Sequence, residues 1–156
     1  MKLNLGVIDV PEPEGGTSYT VGVELEKQYG VFSMFANTYE KFIVETVAED
    51  AADGLEALMR GESVSVNTVF ATSGEEITNK MHEFITTQEV ERVAPSYGEY
   101  GIPTQAALEG KTLRTAAGKT ISKVRKGQKV KKVYGQRRPS FIYSGIFEKS
   151  MKAWIE

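Results

Sequence analysis

From Thr20 to Arg60 the apolar residues Leu25, Phe32, Phe35, Tyr39, Phe42, Val47, Ala51, Leu55 and Leu58 recur at one- or two-turn intervals of an α-helix. That spacing predicts one long helical stripe facing a core. The acids Glu24, Glu26, Glu40, Glu45, Glu49, Asp50, Asp53 and Glu56 fill the other faces. Thr20 reads as the cap of this helix, with Glu24 placed to favour the positive end of its dipole. Gly61 reads as its stop. Gly30 lies inside the pattern and is expected to kink or divide the helix, since an interior glycine costs about 1 kcal/mol.

The flanks are shorter. Residues 2–10, "KLNLGVIDV", alternate as a strand with Leu3, Leu5 and Val7 on one side. Pro11, Pro13, Gly15 and Gly16 then break regular structure. Residues 1–18 therefore read either as an arm with a stiff hinge or as the first strand of the domain. A short strand is expected at Val64–Phe70. A second helix is expected over Gly74–Thr86, with Ser73 and Glu76 as its capping box and Ile77, Met81, Phe84 and Ile85 as its apolar face. Pro103 can open a short helix over Thr104–Leu108, closed by Gly110. Residues 119–135 read as a basic hairpin turning at Lys126-Gly127-Gln128. Ser144 reads as the cap of a short helix ending at Ser150, and "KAWIE" as a closing strand. Together these predict an α+β fold: residues 19–156 form a single domain in which a long helix and a second helix pack on a small, mostly antiparallel sheet completed by the C-terminal strand.

Composition enters through charge. The chain has 156 residues, a length that fits one domain with a sizeable core, and a net charge of −2. That small number conceals a split. Residues 1–110 hold 19 acids and 6 bases, whereas residues 111–138 hold 11 bases and no acid. Opposite surfaces of this kind suit nucleic acid, a membrane, or a neighbouring subunit whose acidic edge meets a basic one. The apolar runs are shorter than a membrane span needs, and the opening lacks the apolar core of a secretory leader. No cysteine is present, which excludes disulfides, thiol nucleophiles and thiolate metal sites.

Catalytic patterns are weak. "GKT" occurs at Gly110-Lys111-Thr112 and at Gly118-Lys119-Thr120, but a phosphate-binding loop needs a glycine where Gln105 and Leu113 stand. His82 is the only histidine, without a nucleophile elbow to serve, and reads as a surface or hydrogen-bonded helix residue. Glu45/Glu49 and Glu49/Asp53 stand four apart, yet no Glu-x-x-His motif accompanies them, so a solvated acidic face is expected. No catalytic residue, metal or cofactor is assigned. The densest signal is Lys123, Arg125, Lys126, Lys129, Lys131 and Lys132, interleaved with Val124, Val130, Val133 and Tyr134 and followed by Arg137 and Arg138. Three readings stay open: a surface tracking a nucleic-acid backbone, a solvated edge hairpin protected by its lysines, or a basic interface docked on an acidic neighbour.

The end of the chain carries a resemblance. Arg138, Pro139, Phe141, Ile142, Ser144, Gly145, Ile146, Phe147, Ser150 and Trp154 follow an order of basic residue, proline, apolar pair, Ser-Gly, apolar positions, serine and closing strand. This resembles the terminal motif of the neck and tail-completion proteins of tailed bacteriophages, with Ser144 where threonine is commoner. "LNLGVIDVP" and "YGIPTQAALEG" look like stretches of phage structural proteins too. The resemblance implies a virion protein that joins tail to head as a homo-oligomeric ring, a hexamer, around the DNA path. It implies other neck and tail proteins as partners, non-specific contact with genomic DNA, and no enzymatic role. The basic hairpin has no counterpart in the motif. The alternative from the residues alone is a nucleic-acid-binding module using 119–138.

Overall fold

A computed structural model of the chain describes residues 2–12, 16–94, 102, 103, 105–108, 137, 139–142 and 145–156. Its architecture is α+β. The two ends of the chain form one antiparallel ladder, β1 (Leu3–Val7) against β2 (Met151–Ile155), in the register Leu3↔Ile155, Leu5↔Ala153 and Val7↔Met151. Alternation sends Met151, Ala153 and Ile155 inward and Lys152 and Trp154 outward. A two-stranded ribbon is marginal in water and needs a packing partner. Helix α5 (Ala71–Thr86) supplies it.

The expected long helix is three helices: α1 (Ser18–Tyr29), α2 (Val31–Thr38) and α3 (Glu40–Met59). Gly30 makes the first break, with φ 64°, a left-handed conformation that glycine adopts without a Cβ penalty. The Glu26 side chain then caps α2, accepting from the Phe32 amide at 2.7 Å and from the Ser33 hydroxyl. The second break, at Tyr39, has no glycine to announce it. There the ring turns into an aromatic cluster with Phe35, Phe42 and Phe84. The cap of α1 is Thr17, whose hydroxyl accepts from the Thr20 amide, and not Thr20 itself. Gly61 ends α3 as expected. Its amide reaches Leu58 O at 2.9 Å and the Glu62 amide reaches Ala57 O at 3.0 Å, a Schellman closure.

Other boundaries move. Val64–Phe70 contains the short helix α4 (Val66–Val69), capped by Ser65, where a strand was expected. Helix α5 starts at Ala71, one turn before the expected Gly74. Ser73 lies inside it, fully buried, with its amide and hydroxyl both donating to Asp50 of α3. A side chain bound across to another helix is not available as a cap. Helices α6 (Glu89–Val93) and α7 (Gln105–Leu108) follow, the latter agreeing with the expected short helix. The last helix, α8 (Ile146–Ser150), has Gly145 at its cap position, and the expected cap, Ser144, lies outside the described residues.

The core gathers Val31, Met34, Phe35, Ile77, Met81, Phe84, Ile85 and Val90, all fully buried. The apolar face expected for the second helix is present in full. The expected stripe on α3 fails in its second half: Ala51, Leu55 and Leu58 are exposed, and Thr46, Gly54 and Ala57 are buried instead. Helix α4 packs so close that a Cβ on Gly54 would lie 2.7 Å from Val69 Cγ1. Small residues permit that approach, and the bulky leucines are turned to solvent.

Candidate interaction surface

The C-terminal motif is built as three linked pieces. The first is a turn held by α6. Glu91, nearly buried, accepts the Arg137 guanidinium at 2.5 Å, and its other oxygen accepts the Ser140 hydroxyl at 2.7 Å and the Ser140 amide at 3.2 Å. Phe141 sits here at φ 66° and packs edge-on against Tyr29, with centroids 5.1 Å apart. The second piece is α8, which buries Phe147 and Ser150. The third is β2.

The outer edge of β2 is closed by side chains of α5. The Ala153 amide donates to Thr78 Oγ1 at 2.9 Å, and His82 Nε2 donates to Met151 O at 3.1 Å. Thr78 completes its own set by donating to Gly74 O at 2.7 Å. The strand lies flush on the helix here: a Cβ at Gly74 would meet Ala153 O at 3.4 Å, an ordinary van der Waals contact. His82 thus holds a strand edge, in line with a hydrogen-bonded helix histidine. It also borders an open groove of about 500 Å³ between α4, the start of α5 and β2, with Ile8, Phe70 and Trp154 among its walls. Trp154 is 39% exposed and lies over Gly6 on the outward face of the ribbon.

Of the residues singled out in the sequence, Arg137, Pro139, Phe141, Gly145, Phe147, Ser150 and Trp154 lie in the described parts of the C-terminal segment. Arg137 engages Glu91 of its own chain. Lys123, Arg125, Lys126, Lys129, Lys131, Lys132, Arg138 and Ser144, with the whole 119–135 hairpin, lie outside the described residues. Among the described residues no group of acids and histidine could hold a metal, and no helix is long and apolar enough to cross a membrane.

The surface that sequence reading missed is the outward face of α3. Val44, Leu55, Leu58 and Met59 are 61%, 59%, 54% and 81% exposed, beside a ridge formed by Glu45, Glu49, Asp53 and Glu56. The signal was present in the spacing: two apolar stripes share this helix, and only one faces the core. Comparison of the chain with protein-family models, curated proteins and solved structures finds no match.

Proposed function

We propose that this chain is a structural virion protein of a tailed bacteriophage, a neck or tail-completion component. In this reading it joins tail to head as a homo-oligomeric ring, a hexamer, around the DNA path, beside other neck and tail proteins. Its role is mechanical. The observation that carries the reading is the terminal sequence from Arg138 to Trp154, with its Pro, Ser-Gly, Ser and closing-strand order. The way this segment is built supports it: a turn locked on Glu91, a short helix and a strand paired with the opening of the chain. Such a segment is tied into the body of the subunit, as a part that carries load across an assembly must be. Exposed apolar side chains on α3 supply surface for neighbours.

The second reading, a nucleic-acid-binding module, is favoured by one observation, the absence of any acid among the bases of 119–138. Electron-microscopy class averages of the purified protein, with an assay for its presence in purified virions, separate the two. Rings and virion association are expected. A monomer that binds DNA with an affinity falling steeply as salt rises would overturn the ring reading in favour of the second.

A further inference from the structure

We propose that the outward face of α3 is the seat for the basic segment 119–138 of a second copy of this chain. The inference rests on the ring reading above and specifies the contact that would build it.

Val44, Ala48, Ala51, Leu55 and Leu58 follow one another at steps of four, three, four and three residues along α3. That is the a/d spacing of a helix seam made to be covered by another chain segment. The core-facing side of α3 is a different set, Ile43, Thr46, Gly54 and Ala57. All five seam residues are exposed. Among the described residues, then, the seam is complete and uncovered. Alanines at its centre make it shallow there, so a backbone can come close, while Val44, Leu55 and Leu58 stand at its two ends.

Charge identifies the occupant. Glu45, Glu49 and Glu56 run along one side of the seam. Among the described residues, Glu45 and Glu56 pair with solvent-exposed partners, Lys41 at 3.6 Å and Arg60 at 3.3 Å. Exposed pairs of this type are weak and exchange readily. Glu49 makes no ion pair among the described residues. Two α3 helices packed antiparallel about a two-fold axis would bring like-charged ridges together, which is unfavourable. The occupant must be apolar and basic. Residues 123–134 offer that mixture, with Val124, Val130, Val133 and Tyr134 set among Lys123, Arg125, Lys126, Lys129, Lys131 and Lys132. An acidic seat on one subunit and a basic plug on the next make a heterologous contact, the kind that closes into rings.

The test is a charge exchange in the full-length protein, read as oligomer mass by sedimentation and light scattering. One variant carries Glu45→Lys, Glu49→Lys and Glu56→Lys, and the other Lys129→Glu, Lys131→Glu and Lys132→Glu. Each alone should weaken association about tenfold or more while far-UV circular dichroism and the melting transition stay those of a folded chain. The six changes combined in one chain should restore association. Zero-length cross-linking of mixed heavy- and light-isotope copies should join Glu49 to the basic segment of the other copy. Normal assembly of the folded acidic-face variant would overturn the proposal and leave the ring reading standing. Loss by both variants without rescue when combined would overturn it as well, as would cross-links confined within single copies. A wild-type chain that stays monomeric would overturn the ring reading itself, and the seat with it.

Discussion

Tyr39 shows how one side chain sets a helix break. Its hydroxyl donates to Glu89, its ring meets Phe84 at 5.9 Å edge-on, and Lys80 Nζ lies 5.1 Å from the ring centre. Burial, and then the Glu89 hydrogen bond and charge, push the phenol well above its ordinary value, with Arg92 opposing. A folded-state value above the unfolded one, about 10, means the stabilisation is whole below that pH and is lost as pH rises beyond it. Thermal melts from neutral to strongly alkaline pH should therefore show a loss that Tyr39→Phe removes, at the expense of about 1 kcal/mol at neutral pH from the missing hydrogen bond. Glu91 is the second residue on which much depends, since three donors of the C-terminal turn end on its carboxylate. Glu91→Ala leaves the buried Ser140 hydroxyl and amide without an acceptor and should lower stability by about 1–3 kcal/mol. Glu91→Gln, which keeps an acceptor, should lose less. Urea unfolding midpoints with unchanged slopes would give both figures.

At the scale of elements, the ribbon depends on α5 as an edge guard. An open strand edge invites pairing with other chains, and here two side chains of a helix occupy it. Thr78→Val keeps the shape but strips the acceptor from the Ala153 amide. It should cost about 1–3 kcal/mol and increase self-association through β2, visible as light scattering on mild heating. Nothing in the local sequence announces this guard, because Thr78 and Ala153 are joined only by the tertiary fold. The parts that were legible are those in which periodicity has one solution: β1 and β2, the buried face Ile77, Met81, Phe84 and Ile85, and the stop at Gly61. Misreadings fell where a side chain acts at a distance. Ser73 looks like a cap but serves Asp50, and Tyr39 breaks a helix through a contact with Glu89. The second half of α3 misled for another reason. Bulky Leu55 and Leu58 outweigh Gly54 and Ala57 in any apolar count, while close approach by α4 requires Gly54 inside.

At the scale of the molecule, the sheet joins the first residues to the last. Lys2 and Glu156 exchange both backbone hydrogen bonds, at 2.7 and 2.9 Å. Contacts of the largest sequence separation are the slowest to form and add nothing until the chain between them is ordered. The closing strand is therefore a late clasp on the helical body, packed closely on α5, with Met151 and Ala153 joining the core that α2, α3, α5 and α6 build. Its two faces contribute unequally. Met151, Ala153 and Ile155 are buried, whereas Trp154 covers Gly6 from outside with its indole nitrogen donating to Glu156 at 3.0 Å. Trp154→Ala should thus cost about 1–2 kcal/mol, less than a fully buried ring would. Deleting Trp154–Glu156 also removes Ile155 and the partners of Leu3, Asn4 and Lys2, half of the register that defines the ribbon. A two-stranded sheet that short has no independent stability. The deletion should free β1 while the central helices persist. The expected result is retained far-UV helix signal and fast amide exchange over Leu3–Val7. Full protection of those amides in the truncated chain would show that β1 is held by α1 and the core without β2, and the clasp would then be ornamental to the fold.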